Sequence, residues 1–289
     1  MQTIPNAIGG KLVTSSSKRT QPVFNPATGE ESATLPLSTS AELDAAVQSA
    51  KAALPGWANT PPMKRARIMF RFKELLDKHA ADIAREVSRE HGKVHDDALG
   101  EVARGIDNVD YACGIPQLLK GEFSRNVGPN IDSYSDRQPL GVVAGITPFN
   151  FPAMVPLWMY PLAIACGNTF ILKPSERDPS APVFIWKLFV EAGLPEGVLN
   201  IVHGDKEVVD AILHHPDIKA VSFVGSTAVA EYIYTTGTKA GKRVQALGGA
   251  KNHMVIMPDA DMDLAADALM GAGFGSAGER CMAISVAVP

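Results

Sequence analysis

The 289-residue sequence contains few cysteines, and their spacing excludes two common kinds of framework. Only Cys113, Cys166 and Cys281 occur, and no two of them form a CxxC pair. An odd, sparse set of this kind argues against a disulfide scaffold and against a zinc site, and it is typical of a reducing compartment. We therefore expect a cytoplasmic protein without a metal site.

The sequence also lacks a strong charge of either sign and a long uninterrupted apolar run. The formal net charge is −4, so bulk electrostatics give no reason to expect a nucleic-acid or anionic-membrane partner. The longest apolar stretch, residues 149–166, is interrupted by Pro152, Pro156 and Pro161, which makes it a poor candidate for a membrane span. The N-terminus lacks the apolar segment of a secretion signal.

A GxGxxG fingerprint is absent, so the usual sequence signal of a dinucleotide-binding fold is missing. What the sequence has instead is an ordinary globular composition, with 46% hydrophobic and 20% charged residues. Its length favours two domains. Any nucleotide site must be argued from other motifs.

The first part of the sequence predicts short strands followed by helices. A long helix is predicted from Pro61 to about His91, because apolar residues recur there at helical spacing. The polar segment 121–138 predicts a β-ribbon that projects from the main body. The other elements predicted in this part are strands at 8–13, 21–24 and 31–35, a helix that begins at Ser40, and a helix at about 96–119.

From Leu140 onward, apolar strands alternate with helices. This spacing predicts βαβ units, and therefore an α/β fold with a parallel sheet covered by helices on both faces. The last run, 282–288, predicts a further buried strand. The alternating strands are predicted at 141–146, 169–172, 198–202 and 220–224, and the helices at 152–166, 180–192, 205–214 and 227–239.

Two of these strands end in motifs that suit a nucleotide. After the strand at 220–224, Gly225 and Ser226 precede a helix, whose first N–H groups could hold a pyrophosphate together with the Ser226 hydroxyl. An ordinary helix cap is the alternative. After the strand at 169–172, Lys173 and Glu176 could bind ribose hydroxyls, and Glu176 would repel the 2′-phosphate of NADP. A solvated loop is the alternative there.

Two further motifs suit the chemistry of a carbonyl group. In segment 147–152, Asn150 lies between two aromatic residues, and its amide either caps the next helix or binds an oxyanion. In segment 275–281, small residues precede Cys281, and the adjacent Arg280 would favour a thiolate nucleophile. The alternative for any lone cysteine is burial as a small apolar residue, which fits Cys113 and Cys166.

These four motifs, in this order, resemble the aldehyde dehydrogenase superfamily over essentially the whole chain. The resemblance implies a Rossmann-like fold, NAD as cofactor, Cys281 as the nucleophile and Asn150 as the oxyanion ligand. The residues expected at the cofactor are Thr147, Phe149, Lys173, Glu176, Arg177, Ser226 and Gly248.

Two departures from the wider family are similar to its CoA-acylating methylmalonate-semialdehyde dehydrogenases. Ala246 occupies the position of the base glutamate in the Glu-Leu-Gly-Gly-Lys motif, and an alanine cannot activate water. Glu279 and Arg280 replace the commoner Gln-x before the nucleophile. The resemblance therefore implies CoA as co-substrate and the oxidation of methylmalonate or malonate semialdehyde to an acyl-CoA with decarboxylation. Arg280, then Arg104, are the candidates to bind the substrate carboxylate.

The resemblance also implies a domain organisation. Residues 1–120 and 139–247 are expected to form the NAD-binding domain, 121–138 an oligomerisation ribbon, and 248–289 the start of a catalytic domain that is C-terminally truncated. A homo-oligomer is expected for the full-length family. Three other functions stay open: a hydrolytic aldehyde dehydrogenase, an NAD-binding chain without turnover, and a cysteine-dependent acyltransferase or hydrolase without a redox step.

Overall fold

A computed structural model describes residues 2–289. The strands are Gln2–Thr3 (β1), Asn6–Ile8 (β2), Lys11–Val13 (β3), Thr20–Asn25 (β4), Glu30–Pro36 (β5), Phe123–Gly128 (β6), Ile131–Tyr134 (β7), Val142–Ile146 (β8), Thr169–Lys173 (β9), Leu199–Ile201 (β10), Ile218–Val224 (β11), Arg243–Leu247 (β12), Asn252–Val255 (β13) and Ile284–Val288 (β14). The helices are Ser40–Ala58 (α1), Pro62–Lys78 (α2), Ala80–His91 (α3), His95–Cys113 (α4), Ile115–Leu118 (α5), Met154–Ala165 (α6), Ser180–Glu191 (α7), Lys206–His214 (α8), Thr227–Lys239 (α9) and Met262–Phe274 (α10).

The core of the fold is a seven-stranded sheet in the order β12-β11-β8-β9-β10-β2-β3. The first five strands of that order run parallel, and the hairpin β2-β3 adds to β10 in the antiparallel sense. Every residue of β8 and β9 is buried, as expected for parallel strands that are covered on both faces. The sheet confirms the predicted α/β fold.

Alternate residues of β8 face two different hydrophobic clusters, because side chains alternate across a strand. Val143 belongs to the larger cluster, which includes the buried faces of α2 to α7. Val142, Ala144 and Ile146 belong to the other, which includes α1, α8 and α9. The helices therefore cover both faces of the sheet, as predicted.

Three smaller sheets lie outside the central one. Strands β1, β5 and β4 form a three-stranded sheet, and β6 and β7 form the antiparallel ribbon predicted at 121–138. The ribbon exposes Phe123, Val127, Ile131 and Tyr134. Strands β13 and β14 form a parallel pair of their own.

The predicted strand at 8–13 is wrong, because the segment is a hairpin. Gly9 and Gly10 have φ of +61° and +79°, and the chain reverses there between β2 and β3. Two consecutive residues with positive φ are the requirement of a tight type I′ turn, which glycine meets without steric cost.

The single helix predicted at 61–91 is wrong as well, because the segment forms two helices, α2 and α3. His79 leaves helical geometry with φ −106° and ψ 15°, and its ring contacts both Asp82 and the edge of Phe184. Apolar periodicity continues across the bend, so the pattern alone does not reveal it. The helix predicted at about 96–119 similarly ends at Cys113 and is followed by the short α5.

The last part of the chain departs most from expectation. The strand predicted as buried at 282–288 is β14, and its residues are mostly exposed because it pairs with β13 alone. Strands β12 and β13 and helix α10 were not predicted. The large apolar side chains exposed in this part are Val255, Met257, Met262, Leu264, Met270, Phe274, Met282, Val286 and Val288.

Among residues 2–289, none of the helices combines the length and the apolarity that crossing a bilayer requires.

Two glycines predict opposite effects of the same substitution. A Cβ on Gly145 in β8 would lie 2.7 Å from Cζ of Phe170 and 2.8 Å from Sδ of Met159. Gly145→Ala should therefore lower the free energy of unfolding by about 1–3 kcal/mol through overpacking. Gly56→Ala in α1, where a Cβ would meet nothing within 4 Å, should raise it by up to about 1 kcal/mol. Urea unfolding of the two variants measures both, and equal shifts would contradict the packing described at Gly145.

Candidate active site

The carboxyl ends of β8, β9 and β11 open into one cleft of about 900 Å³. This is the edge of a parallel sheet at which open α/β folds bind ligands. Every predicted site residue except Arg104 lines it. Those residues are Thr147, Phe149, Asn150, Lys173, Glu176, Arg177, Ser226, Gly248, Arg280 and Cys281.

Lys173 and Glu176 form an ion pair at the end of β9. The distance from Lys173 Nζ to Glu176 Oε2 is 2.7 Å, and the Lys173 side chain is almost fully buried. Burial alone would raise the pKa of Glu176, but the charge and hydrogen bond of Lys173 outweigh it and lower that pKa. The cleft therefore presents an ionised carboxylate beside β9.

The loop after β11 leaves the Ser226 hydroxyl without a capping hydrogen bond at the start of α9. Ser226 precedes the first residue of α9 with extended backbone, but its hydroxyl makes no capping hydrogen bond. Ser226 is therefore the N-cap residue of α9 by its backbone, while its hydroxyl is not used in capping. Thr227 Oγ1 instead accepts from Gly249 N at 3.0 Å, and a Cβ on Gly248 would lie 3.1 Å from Thr227 Cα. The absence of a side chain at Gly248 lets the two loops meet at the cleft.

The ring of Phe149 contacts the side chains of Arg177 and His91. The Arg177 guanidinium is 4.8 Å from the centre of its ring, and His91 stacks at 6.2 Å. Burial, with a smaller effect from Lys93, lowers the pKa of His91 to about 4, so its ring is neutral near pH 7. The stack fixes the aromatic residue next to Asn150.

The segment that carries the candidate nucleophile is strained. Ser276, Ala277 and Gly278 have φ of +56°, +57° and +77°, and the first two are not glycine. Each such residue costs about 1–3 kcal/mol, so the surroundings must stabilise this backbone. The residues that follow it end in Cys281, which is half-buried and lines the cleft.

Asp97 of α4 holds this strained segment. Its carboxylate accepts a hydrogen bond from Ser276 N at 2.8 Å and pairs with the Arg280 guanidinium. Burial alone would raise the pKa of Asp97, but the bonds from Ser276 and Arg280 outweigh it and lower that pKa. One carboxylate thus binds both ends of the turn before Cys281.

The Asn150 side chain contacts the same segment. Its Nδ2 donates to Glu279 O at 2.6 Å. An amide NH₂ has two hydrogens, so a second N–H is left for a ligand. The capping alternative is wrong, because the first N–H groups of α6 donate to Glu101 instead.

Sequence reasoning missed three side chains that support the site: Asp97, Lys93 and Glu101. Lys93 and Glu101 form a fully buried ion pair of 2.6 Å, and Lys93 Nζ donates to Asn150 O at 2.7 Å. Charged residues at the end of one helix and the start of the next are usually solvated. No sequence signal separates these three from such a surface.

The two candidate arginines for a substrate carboxylate lie in different places. Arg280 lines the cleft while paired with Asp97. Arg104 lies beside the Asn150 loop, with its guanidinium 5.9 Å from the Phe151 ring and its Nε 3.4 Å from Met154 Sδ. The geometry favours Arg280 for direct contact with a ligand in the cleft.

Comparison with known proteins identifies the architecture around this cleft. The model of the aldehyde dehydrogenase family matches residues 12–288. A malonate-semialdehyde dehydrogenase of Pseudomonas aeruginosa is 65% identical over 288 residues, which are 100% of this chain and 58% of that protein. Malonate-semialdehyde dehydrogenase 3 of Geobacillus kaustophilus is 59% identical over 287 residues, which are 99% of this chain and 59% of that protein.

Solved structures give the same result. The methylmalonate-semialdehyde dehydrogenase of Oceanimonas doudoroffii superimposes with a TM-score of 0.97 at 64% identity, over 99% of this chain and 59% of that one. A Sinorhizobium meliloti protein described as a methylmalonate-semialdehyde dehydrogenase, crystallised with NAD, gives 0.98 at 60% identity, over 100% and 59%. The chain thus spans about three fifths of the length of these relatives.

The environments of the three cysteines predict selective labelling. Burial, with the nearby Asp110 carboxylate, raises the pKa of Cys113 to about 11, and burial raises that of Cys166. Both thiols therefore hold little thiolate near neutral pH. Iodoacetamide should modify Cys281 first, as measured by peptide mass spectrometry over time. Cys281→Ser should leave only slow labelling, and Cys166→Ala should not change the rate at which Cys281 is labelled. Faster modification of Cys166 in the folded protein would remove Cys281 as the accessible nucleophile.

Proposed function

The chain belongs to the aldehyde dehydrogenase family, and we propose that it provides the cofactor-binding and nucleophilic groups for oxidising methylmalonate or malonate semialdehyde to an acyl-CoA. The observation that carries the proposal is that one cleft is lined by Cys281, Asn150 and the Lys173–Glu176 pair. A nucleophile, an oxyanion donor and a ribose-binding carboxylate therefore face the same space.

The first half-reaction needs a nucleophile at the carbonyl carbon and hydrogen-bond donors at the carbonyl oxygen. The Cys281 thiolate attacks the aldehyde carbon, and the oxygen takes the negative charge. The free N–H of Asn150 and the Cys281 backbone N–H stabilise it, each donor contributing about 10²–10³ in rate. The resulting adduct on Cys281 is then oxidised to a thioester.

The groups around the cleft fit NAD. The free hydroxyl of Ser226 and the first N–H groups of α9 suit a pyrophosphate, and the missing side chain of Gly248 leaves room beside them. The ionised Glu176 suits ribose hydroxyls and disfavours a 2′-phosphate. When bound, NAD supplies the hydride acceptor. Thr147, Phe149 and Arg177 complete the proposed contacts.

CoA is proposed as the acyl acceptor, because the cleft lacks the usual base for water. Ala246, in β12, packs against the apolar cluster under α8 and α9. Lys251 and His253 are exposed, bond to backbone carbonyls and do not line the cleft. A thiol needs less activation than water. The carboxylate of the substrate is proposed to bind Arg280, with Arg104 as the second candidate. It is proposed to leave as CO₂ from the acyl-thioester, with the C–C electron pair passing into the thioester carbonyl and a proton from water then completing the acyl group.

The sheet topology and the exposed ribbon support the assignment of the chain to domains and to an interface. We propose residues 1–120 and 139–247 as the NAD-binding domain and 248–289 as the beginning of the catalytic domain, since β13 and β14 pair outside the central sheet. The ribbon 121–138 is proposed to contact a second copy in a homo-oligomer. Its exposed aromatic side chains suit such an interface.

The cofactor proposal predicts a charge-dependent preference. NAD should bind more tightly than NADP, and Glu176→Gln should reduce the preference by about tenfold, which corresponds to about 1.4 kcal/mol. Fluorescence or calorimetric titration with both nucleotides measures it. Glu191→Gln, an exposed change at the end of α7, is the matched control. Equal affinity of the unchanged protein for the two nucleotides would exclude Glu176 from the ribose contact.

The acceptor proposal predicts a burst. With semialdehyde and NAD but no CoA, NADH should form once per active site and then stop, because the thioester on Cys281 has no activated water. Adding CoA should give continuous NADH formation, and Cys281→Ala should give neither. Rapid-mixing absorbance records both phases, in this chain and in a version with the rest of the P. aeruginosa relative joined after Pro289.

Two results would redirect the assignment. Continuous NADH formation without CoA would make this a hydrolytic aldehyde dehydrogenase. NAD binding without any NADH, in both versions, would leave a cofactor-binding chain without turnover.

A further inference from the structure

The Lys93 ammonium is fully buried beneath the Asn150 loop and contacts three groups there. It donates to Glu101 Oε2 at 2.6 Å and to Asn150 O at 2.7 Å, and it lies 4.2 Å from the centre of the Phe151 ring. An ammonium has three donors and no acceptor. Two of the donors are therefore used on the loop and on the carboxylate that supports it, and the charge also faces the ring of Phe151.

Glu101 fixes the other end of the same loop. Its Oε1 accepts from Ala153 N at 2.8 Å and from Met154 N at 3.1 Å, which are the N–H groups that open α6. The carboxylate also favours the positive end of that helix. Lys93 and Glu101 together hold the segment from Asn150 to Met154 by its backbone.

Stability alone does not require this pair. Taking both charges out of water is costly, and apolar side chains of similar volume often give an equally stable or more stable core. Apolar side chains could not bond Asn150 O or the N–H groups of α6. The specific contribution of the pair is therefore the position of the loop.

We propose that Lys93 and Glu101 are positioning residues, which hold Asn150 so that its free N–H meets the oxyanion of a carbonyl addition on Cys281. The inference rests on the proposed function of Asn150 and Cys281. Lys93 holds the Asn150 carbonyl from one side, and Glu279 O holds one N–H of its amide from the other. The second N–H is left with little freedom to turn away from the cleft.

A positioning role predicts that two reactions of Cys281 respond differently to loss of the pair, whereas a purely structural role predicts that both change together. Acylation of Cys281 by p-nitrophenyl acetate forms the C–S bond at a carbonyl, develops an oxyanion and releases p-nitrophenolate. Alkylation by iodoacetamide forms a C–S bond and releases iodide without any oxyanion. Loss of the Asn150 position should slow the first reaction and leave the second unchanged, and neither reaction needs NAD or CoA.

The test compares both rates in this chain and in the variant Lys93→Met/Glu101→Leu, which removes both charges together. We expect acylation to fall about 10²-fold, with alkylation and NAD affinity within about twofold. Asn150→Ala should give the same pattern. Adding it to the double variant should lower acylation little further, because groups that act through one donor are not additive. Lys51→Met/Asp217→Leu, which removes an exposed ion pair at the opposite end of β11, should change neither rate.

A milder variant guards against loss of the fold. Glu101→Gln keeps the volume and one acceptor for the N–H groups of α6, and it should lower acylation about tenfold while alkylation is unchanged. Circular dichroism and thermal unfolding identify which variants are folded, and if the double variant is not, Glu101→Gln decides. Unchanged acylation in the folded variants, with acylation still lost in Asn150→Ala, would overturn the positioning role. Unchanged acylation in Asn150→Ala would instead overturn the proposed oxyanion role itself.

Discussion

The parallel pairing of β8, β9 and β11 is the constraint on which the candidate site depends. Each crossover helix, on either face, returns the chain to the end of the sheet at which the previous strand began, so the three parallel strands all finish at the opposite end. The loops that follow them are distant in sequence yet line a single cleft. Chemistry that requires a nucleotide and a carbonyl to meet can therefore be assembled from short, separate motifs.

The loops at this end of the sheet are held from behind by α4. Asp97 and Glu101 are one helical turn apart and so lie on one face of the helix. The first binds the strained turn before Cys281, and the second binds the start of α6 together with Lys93. One rigid element thus fixes the relative position of the nucleophile loop and the Asn150 loop. These two acidic side chains bind groups on other segments, whereas Asp96, Asp107 and Asp110 of the same helix are exposed to solvent.

The parts of the site that sequence predicted are those encoded locally. An apolar strand, a turn and a helix start occur within a few residues at Gly225 and Ser226, so periodicity and turn chemistry were enough to locate them. The Asp97–Arg280 pair joins positions 183 apart in sequence, and the Lys93–Glu101 pair is buried by segments that neither residue adjoins. The residues next to a charged side chain in sequence do not indicate whether that side chain is buried in the fold. For the same reason, the exposure of β14 could not be inferred from its apolar composition.

The apolar surface near the nucleophile has a chemical consequence of its own. Met257, Met262, Met270 and Met282 are all well exposed, whereas Met69, Met154 and Met159 are buried in the core. Peroxide reaches exposed thioethers first and converts them to sulfoxides, which are polar. Met282 adjoins Cys281, so an oxidant that approaches the thiol also meets a sulfur that is consumed without loss of the nucleophile. Oxidation of this chain would therefore begin at these four residues and at Met63 of α2, which is equally exposed, and it would make the α10 and β14 side progressively more hydrophilic.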